Sequence, residues 1–263
     1  MNRSPAAALR LLAAALFATV TYLAAGPGVP AAFADGSNTE TGASTSVQQQ
    51  GTATASDGGV ALAGPAIATN VRVVNQMNVQ NVAGPAAMQG NVTQDATNTA
   101  DVDQFSLAVS GDATATDGLA ATGSARAMSI VIVQQLNVQV VAGWAPSDGV
   151  SQTASNTADV GQTTVAVSGD AAADGGGSSA ASGQAQAVSV TVVQQRNIQV
   201  YVGRPDVEGS VEQTAANAFS GSQLSGAITG DASATSGSQA STGDAGSMTQ
   251  QQTQQTSFQI TGP

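Results

Sequence analysis

The side chains that most often carry out chemistry are scarce in this chain. It holds no His, Lys or Cys. That removes imidazole bases, Schiff-base amines, thiol nucleophiles and the usual nitrogen and sulfur ligands of transition metals. Carboxylates remain, 17 in all. A pair of them would serve a glycosidase, but most are Asp beside Gly, where turn geometry already favours that residue. Asp112, Asp170 and Asp231 recur in Gly-Asp corners, and acidic turns offer the oxygen ligands that Ca²⁺ prefers. They are weak metal candidates, because aligned acids repel and no Gly-Gly-x-Gly-x-Asp calcium repeat is present. Alternating Thr at 52–56 and 113–116 has the pattern of a flat water-ordering face, but Ala171–Ala173 breaks the row. Asn91-Val92-Thr93 is a formal glycosylation sequon. Neither catalysis, a cofactor nor a resident metal is expected.

The regularly spaced functional groups are carboxamides. "VNQMNVQ" at 74–80, "VQQLNVQ" at 133–139 and "VQQRNIQ" at 193–199 keep Gln, Asn and Gln on one parity, while Met77, Leu136 and Arg196 vary between them. A buried amide left unpaired costs roughly 1–3 kcal/mol. In a parallel in-register stack each amide instead donates to the copy on one side and accepts from the copy on the other. That predicts aligned rows of Gln76, Gln135, Gln195 and Gln255, of Asn78, Asn137 and Asn197, and of Gln80, Gln139, Gln199 and Gln259. A second stretch adds Gln94, Gln152 and Gln213, then Asn98, Asn156 and Asn217, then Gln104, Gln162 and Gln223.

Those rows need strands to position them. From Val92, alternate residues read Val, Gln, Ala, Asn, Ala, Val, Gln, Ser, Ala, and nearly the same string returns from Val150 and from Val211. The alternating stripe carries no charge, whereas its opposite holds Asp95, Asp101, Asp103, Asp159 and Glu212. Strict period two with abundant Val and Thr predicts β-strands with the uncharged face inward. In the stretch that carries the amide motif, Val71, Val73, Val79, Val138, Val140, Val190 and Val192 share the other face, so both faces are expected to be covered, one of them by a neighbouring layer or subunit.

Repetition organises the whole chain. Gly51, Gly111, Gly169 and Gly230 open related Gly-, Ala- and Asp-rich blocks at spacings of 60, 58 and 61. Each unit then runs through a long strand, a Pro/Gly turn ("PAAMQG", "WAPSDG", "RPDVEG") and a second long strand. The expected fold is all-β, a β-solenoid of stacked strand-turn-strand units with Gln/Asn ladders and a repeat of about 60 residues. The boundaries are a leader at 1–34, a partial leading repeat at 35–50, repeats at 51–110, 111–168 and 169–229, and a partial terminal repeat at 230–263.

The leader has Arg3 and Arg10, an apolar run at 11–26 and Ala32-Phe33-Ala34, the pattern of a secretory signal cleaved before Asp35. Past it, Arg72, Arg126, Arg196 and Arg204 face all 17 acids, a formal charge of −13. Nucleic acid is an improbable partner for such a chain, and no membrane span is expected in the mature protein. Self-association, alone or with other surface subunits, is the expected mode of contact.

Gln94-x3-Asn98-x-Ala100-x3-Gln104 and Gln152-x3-Asn156-x-Ala158-x3-Gln162 resemble the curlin repeat of curli-type secreted amyloid subunits. Gln213, Asn217 and Gln223 keep the amides but place Phe219 where Ala is expected. In that family Gln and Asn flank a Gly turn, with a period about a third of the present one. The resemblance implies an extracellular fibre subunit of a biofilm matrix or adhesive surface. The alternative is a monomeric, capped β-solenoid that binds a cell-surface polymer or glycan.

Overall fold

The computed structural model describes residues 33–83, 92–143, 149–203, 210–235 and 237–262. Most of the leader, the turn segments at 85–90 and 204–209, nearly all of 144–149, and Asn91 lie outside the described residues. The described chain runs through four similar sets of strands. The first is β1 (Phe33–Gln49), β2 (Ala53–Ala55), β3 (Val60–Leu62) and β4 (Ala66–Ala83). The second is β5 (Val92–Val109), β6 (Ala113–Thr116), β7 (Leu119–Ala121) and β8 (Ala125–Ala142). The third is β9 (Val150–Val167), β10 (Ala171–Asp174), β11 (Ser179–Ala181) and β12 (Ala185–Val202). The fourth is β13 (Val211–Ile228), β14 (Ala232–Ala234), β15 (Gln239–Ser241) and β16 (Ala245–Gly262). Boundaries drawn at the glycines cut each set between its first long strand and its tip.

Like pairs with like. Four parallel sheets of four strands result, ordered β1-β5-β9-β13, β2-β6-β10-β14, β3-β7-β11-β15 and β4-β8-β12-β16. Paired residues lie 58 to 61 apart in sequence, as in Val92–Val150, Asn38–Asn98 and Val150–Val211. The architecture is all-β and β-solenoid-like. Among the described residues no helix is long and apolar enough to cross a membrane.

Period two sets which side chains go inside. In β5, Val92, Gln94, Ala96, Asn98, Ala100, Val102, Gln104, Ser106 and Ala108 are buried and their neighbours are not. The β1 and β4 sheets face each other across this interior, whose width follows the side chains. At the tip only alanines meet, among them Ala61, Ala113, Ala120, Ala171 and Ala180. Next, Ala66, Ala125 and Ala185 lie against Ala108 and Ala166. Val74, Val131, Val133 and Val193 then pack on Val102 and Val160, and Val92, Val141, Val150 and Tyr201 close the far end. The sheets can approach closely because small residues are repeated where bulk would hold them apart.

The corners between long strands and tip are tighter still. A Cβ on Gly169 would lie 2.4 Å from Gly111 O, and one on Gly183 would lie 2.1 Å from Gly123 O. Side-chain oxygens cross-link these corners: Gly169 N donates to Ser110 Oγ at 2.9 Å and Gly183 N to Thr122 Oγ1 at 2.7 Å. At the tip turn, Asp57 (φ 59°) and Asp117 (φ 53°) adopt the left-handed conformation that Asp tolerates better than most residues.

Gly169→Ala is expected to lower the unfolding free energy by about 1–3 kcal/mol, since the nearest atoms in the way are the backbone C and O of Gly111, with Asp112 Oδ1 beside them. Gly176→Ala, whose added carbon meets nothing within 4 Å, should change it by less than about 0.5 kcal/mol. Urea unfolding followed by circular dichroism distinguishes the two. Equal effects would mean that the corner is not close-packed.

Candidate functional site

The strongest concentration of polar groups is inside the fold. It is built where the Gln-x-Asn-x-Gln stretch of β4, β8 and β12 faces the first half of β5, β9 and β13. Gln135 Nε2 donates to Gln76 Oε1 at 2.8 Å, Gln195 to Gln135 at 2.8 Å and Gln255 to Gln195 at 2.7 Å. The next row runs Gln139 to Gln80 at 2.8 Å, Gln199 to Gln139 at 2.9 Å and Gln259 to Gln199 at 2.9 Å. On the facing sheet Gln152 donates to Gln94 and Gln213 to Gln152, both at 2.7 Å.

Each amide also reaches across the interior. The second N–H of Gln76, Gln135 and Gln195 is donated to the carbonyls of Thr99, Thr157 and Ala218 at 2.7–2.8 Å. Gln139 and Gln199 reach Thr153 O and Thr214 O at 2.8 Å, and Gln80 reaches Asp95 O. Gln135 therefore donates twice and accepts once, with no donor left over. Small residues opposite these amides, Ala96 and Ala100 in β5 and Ala154 and Ala158 in β9, leave the room that a Gln needs.

The asparagines are joined differently. Asn38 donates to Asn98 at 3.0 Å, Asn98 to Asn156 and Asn156 to Asn217 at 2.9 Å. Asn78 donates to Asn137 at 3.1 Å and Asn137 to Asn197 at 3.0 Å. Cross-links between the two rows complete a zigzag: Asn78 to Asn98 at 3.1 Å, Asn98 to Asn137 at 2.8 Å, Asn137 to Asn156 at 3.1 Å and Asn156 to Asn197 at 2.8 Å. Gln rows donate toward the first set of strands, whereas Asn rows donate toward the last.

Gln104, Gln162 and Gln223 enter a mixed network. Gln162 donates to Gln104 at 3.3 Å and Gln223 to Gln162 at 2.7 Å. Hydroxyls join them: Ser129 Oγ donates to Gln104 at 2.6 Å and Thr191 Oγ1 to Gln162 at 2.8 Å. Neither hydroxyl stands out in the sequence, because Ser and Thr are everywhere in it. Asn38 was findable, since the "SNT" at 37–39 matches "SNT" at 155–157. Gln94, Asn98 and Gln104 share one uninterrupted strand, with no turn between them.

Two neighbouring interior rows change at the ends of the stack. Where the middle sets hold Ala100, Val102, Ala158 and Val160, the first set holds Glu40 and Gly42, and Arg72 from β4 pairs with Glu40 at 2.8 Å. Its guanidinium lies over Gly42, where a Cβ would be 2.3 Å from Nη2, and its Nε is buried without a partner. The fourth set holds Phe219, whose ring overlies Gly221. At the wide end, burial pushes the Tyr201 phenol up, and its hydroxyl has no hydrogen-bond partner among the described residues.

The carboxylate column has a backbone role. Asp112 Oδ1 accepts the N–H of Asp170 at 2.9 Å, and Asp170 Oδ1 accepts that of Asp231 at 2.8 Å. Among the described residues no group of three or more acidic side chains is placed to hold a metal ion. A shallow dip on the outside of the β1 sheet, floored by Gly161, is lined by one ionisable side chain, Asp103. That is too little for acid–base chemistry, which needs a second group of different pKa.

Comparison with known proteins finds no matching family model, no similar curated protein and no similar solved structure.

Asn137 is fully buried at the centre of the zigzag, and its Nδ2 faces four oxygens, those of Ala96, Ser155, Asn156 and Asn197. Asn137→Asp should destabilise the fold by about 3–5 kcal/mol at neutral pH, as an unpaired buried charge does. Burial would raise the carboxyl above its unfolded value of about 3.9. The native state then keeps a proton that the unfolded state releases, so the variant should lose stability as pH rises from about 4. Urea midpoints against pH test this, with wild type as the reference. A flat difference would show that the site admits water.

Proposed function

We propose that the chain is an exported structural subunit whose copies add end to end into a fibre or matrix, each continuing the strands and amide rows of the last. The repeat in this reading is one solenoid turn of about 60 residues, and the resemblance to curlin repeats is one of function as well as sequence. The observation that carries it is the polarity of the amide rows. At the fourth set, Gln255 and Gln259 donate inward, and their Oε1 atoms accept nothing among the described residues. The residues that begin those same rows in the first set are Gln76 and Gln80, which accept from Gln135 and Gln139. On stacking, the Gln76 N–H now given to Asn38 O at 3.3 Å would turn to Gln255 Oε1 of the adjoining copy. The Asn row runs in the opposite sense, from Asn38 in the first set to Asn217 as its last acceptor in the fourth. Stacking a first set on a fourth would also bring the Arg72 guanidinium against the Phe219 ring, a favourable cation–π pairing. Such contacts are head-to-tail and do not close, which is the geometry of filaments.

A second reading rests on β16. Its inward positions Ser247, Gln251 and Thr253 stand where β12 has Ala187, Thr191 and Val193, a more polar set, which is how terminal repeats are capped. In that case the chain is a monomer binding a cell-surface polymer or glycan.

One experiment separates them. Purified residues 35–263 should bind thioflavin and give cross-β diffraction at about 4.8 Å along the fibre. Gln255→Lys with Gln259→Lys replaces both open acceptors by donors and should slow seeded elongation at least about tenfold, since a factor of ten is worth 1.4 kcal/mol. A chain that sediments as a single monomer at every concentration would leave the capped reading standing instead. Removing 257–262 should likewise abolish elongation.

A further inference from the structure

The two long sheets present unlike surfaces to solvent. Among the described side chains, the outward charge of the β1 sheet is all acidic: Asp95, Asp101, Asp103, Asp159 and Glu212. The β4 sheet contains no acid at all, and its only cations are Arg72, Arg126 and Arg196, the first turned inward. Its outer face is apolar for most of its length. Val71 is 56 % exposed, Met77 51 %, Phe258 53 % and Ile260 53 %. Between them lie Ile130, Ile132, Leu136, Val138, Val190, Val192 and Ile198, shielded only by neighbours on the same face. No other element covers this face among the described residues, so the second layer that the sequence predicts is not supplied by the chain's own strands.

We propose that this face is a lateral self-association surface on which the same face of a second copy packs as in a β-sandwich. Four strands of 18 residues present roughly 1,000 Å², slightly more than each partner of a standard stable interface contributes. Electrostatics favours a copy meeting this face through its own equivalent. The opposing acidic sheets then point outward and apart, while any other pairing of two strongly negative chains brings carboxylates to the contact.

The pattern along the strands also fixes a register. Each strand turns nine residues outward, and the fifth in each is an amide: Asn75, Gln134, Gln194 and Gln254. Gln134 Nε2 donates to Gln194 Oε1 at 3.2 Å, so an amide row runs up the middle of an apolar face. A two-fold axis along the stacking direction through that row sets amides against amides. It also sets the valines and isoleucines of one half against the apolar residues of the other. Arg196 then borders the amide oxygens rather than bare hydrocarbon. The same axis keeps both copies' strands stacking in one direction, so lateral pairing and end-to-end growth are compatible without depending on each other.

The absence of cysteine makes the test direct. In a chain already carrying Gln255→Lys and Gln259→Lys, so that end-to-end addition is suppressed, one cysteine is introduced as Gln194→Cys on the proposed axis or as Thr157→Cys on the acidic face. Sheets packed about 10 Å apart place the first pair within reach of a short bismaleimide. The expected result is covalent dimer at least tenfold faster for Gln194→Cys than for Thr157→Cys, abolished by adding Ile132→Glu and Val138→Glu with the circular dichroism unchanged. Equal rates, or indifference to the two glutamates, would overturn the proposal. So would a chain that stays monomeric and loses exposure of this face only when phosphatidylcholine vesicles are added. If the acidic variants fail to fold, the comparison of the two cysteine positions still decides.

Discussion

The structure depends on one constraint: a primary amide inside a protein has two donors and an acceptor to satisfy, and an in-register parallel stack satisfies them only with the same amide in the adjoining strand. This explains why the inner parity of the amide stretch is nearly invariant among sets while the outer parity holds Met77, Leu136, Arg196 and Thr256 in one row. A hydrophobic row tolerates Val for Thr, as Val131 and Thr191 show. An amide row lacks that freedom inside the stack, where a substitution leaves two neighbours short, and departs from the amide only at its ends, as Ser44 and Ser257 show.

The amides replace what aromatic side chains supply elsewhere. Six of the largest fully buried side chains are Gln94, Gln135, Gln139, Gln152, Gln195 and Gln199. They fill the wide part of the interior with groups that bind one another, and alanine occupies the narrow part. Tyr201 is the exception, large and buried with a hydroxyl that finds no partner among the described residues. It lies at the far end of the interior, beside Val141 and Val150.

Much of this was legible in the sequence, because period two and a period near 60 act on the same residues. Alternation in Val92–Ala108 identifies the strand and its inward face together, and the amide spacing names the rows. What the sequence conceals is how the two long strands of a set face each other. The zigzag joining Asn78, Asn98 and Asn137 needs rows from separate stretches to meet at one depth, and no spacing along the chain encodes that. The Arg72–Glu40 pair is hidden for the same reason, since it replaces apolar residues on two strands 32 residues apart. The outer face of the β4 sheet marks the opposite case. Its valines are plain in the sequence, yet the hydrophobicity that argues for burial is answered by no element among the described residues.

Stacking identical residues has an electrostatic consequence that accounts for where charge is placed. Like charges in one row sit a strand spacing apart, about 4.8 Å, where repulsion is substantial even at a solvated surface. On the acidic sheet the rows of Asp103, which pairs with Gly161 and Ala43, and of Glu212, which pairs with Ser151, hold a single acid, and two rows hold a pair, Asp35 with Asp95 and Asp101 with Asp159. In the second pair Ser220 Oγ donates to Asp159 Oδ1 at 2.7 Å. Asp112, Asp170 and Asp231 run three deep because in each step a backbone N–H of the next corner lies between the carboxylates. Aspartate thus runs three deep where the backbone supplies a donor between successive acids, and along the long strands no acid row is deeper than two. The middle of a long strand offers no spare N–H, since each is already committed to a parallel neighbour. Charge is accordingly pushed to corners and to one face, and the other face is left apolar.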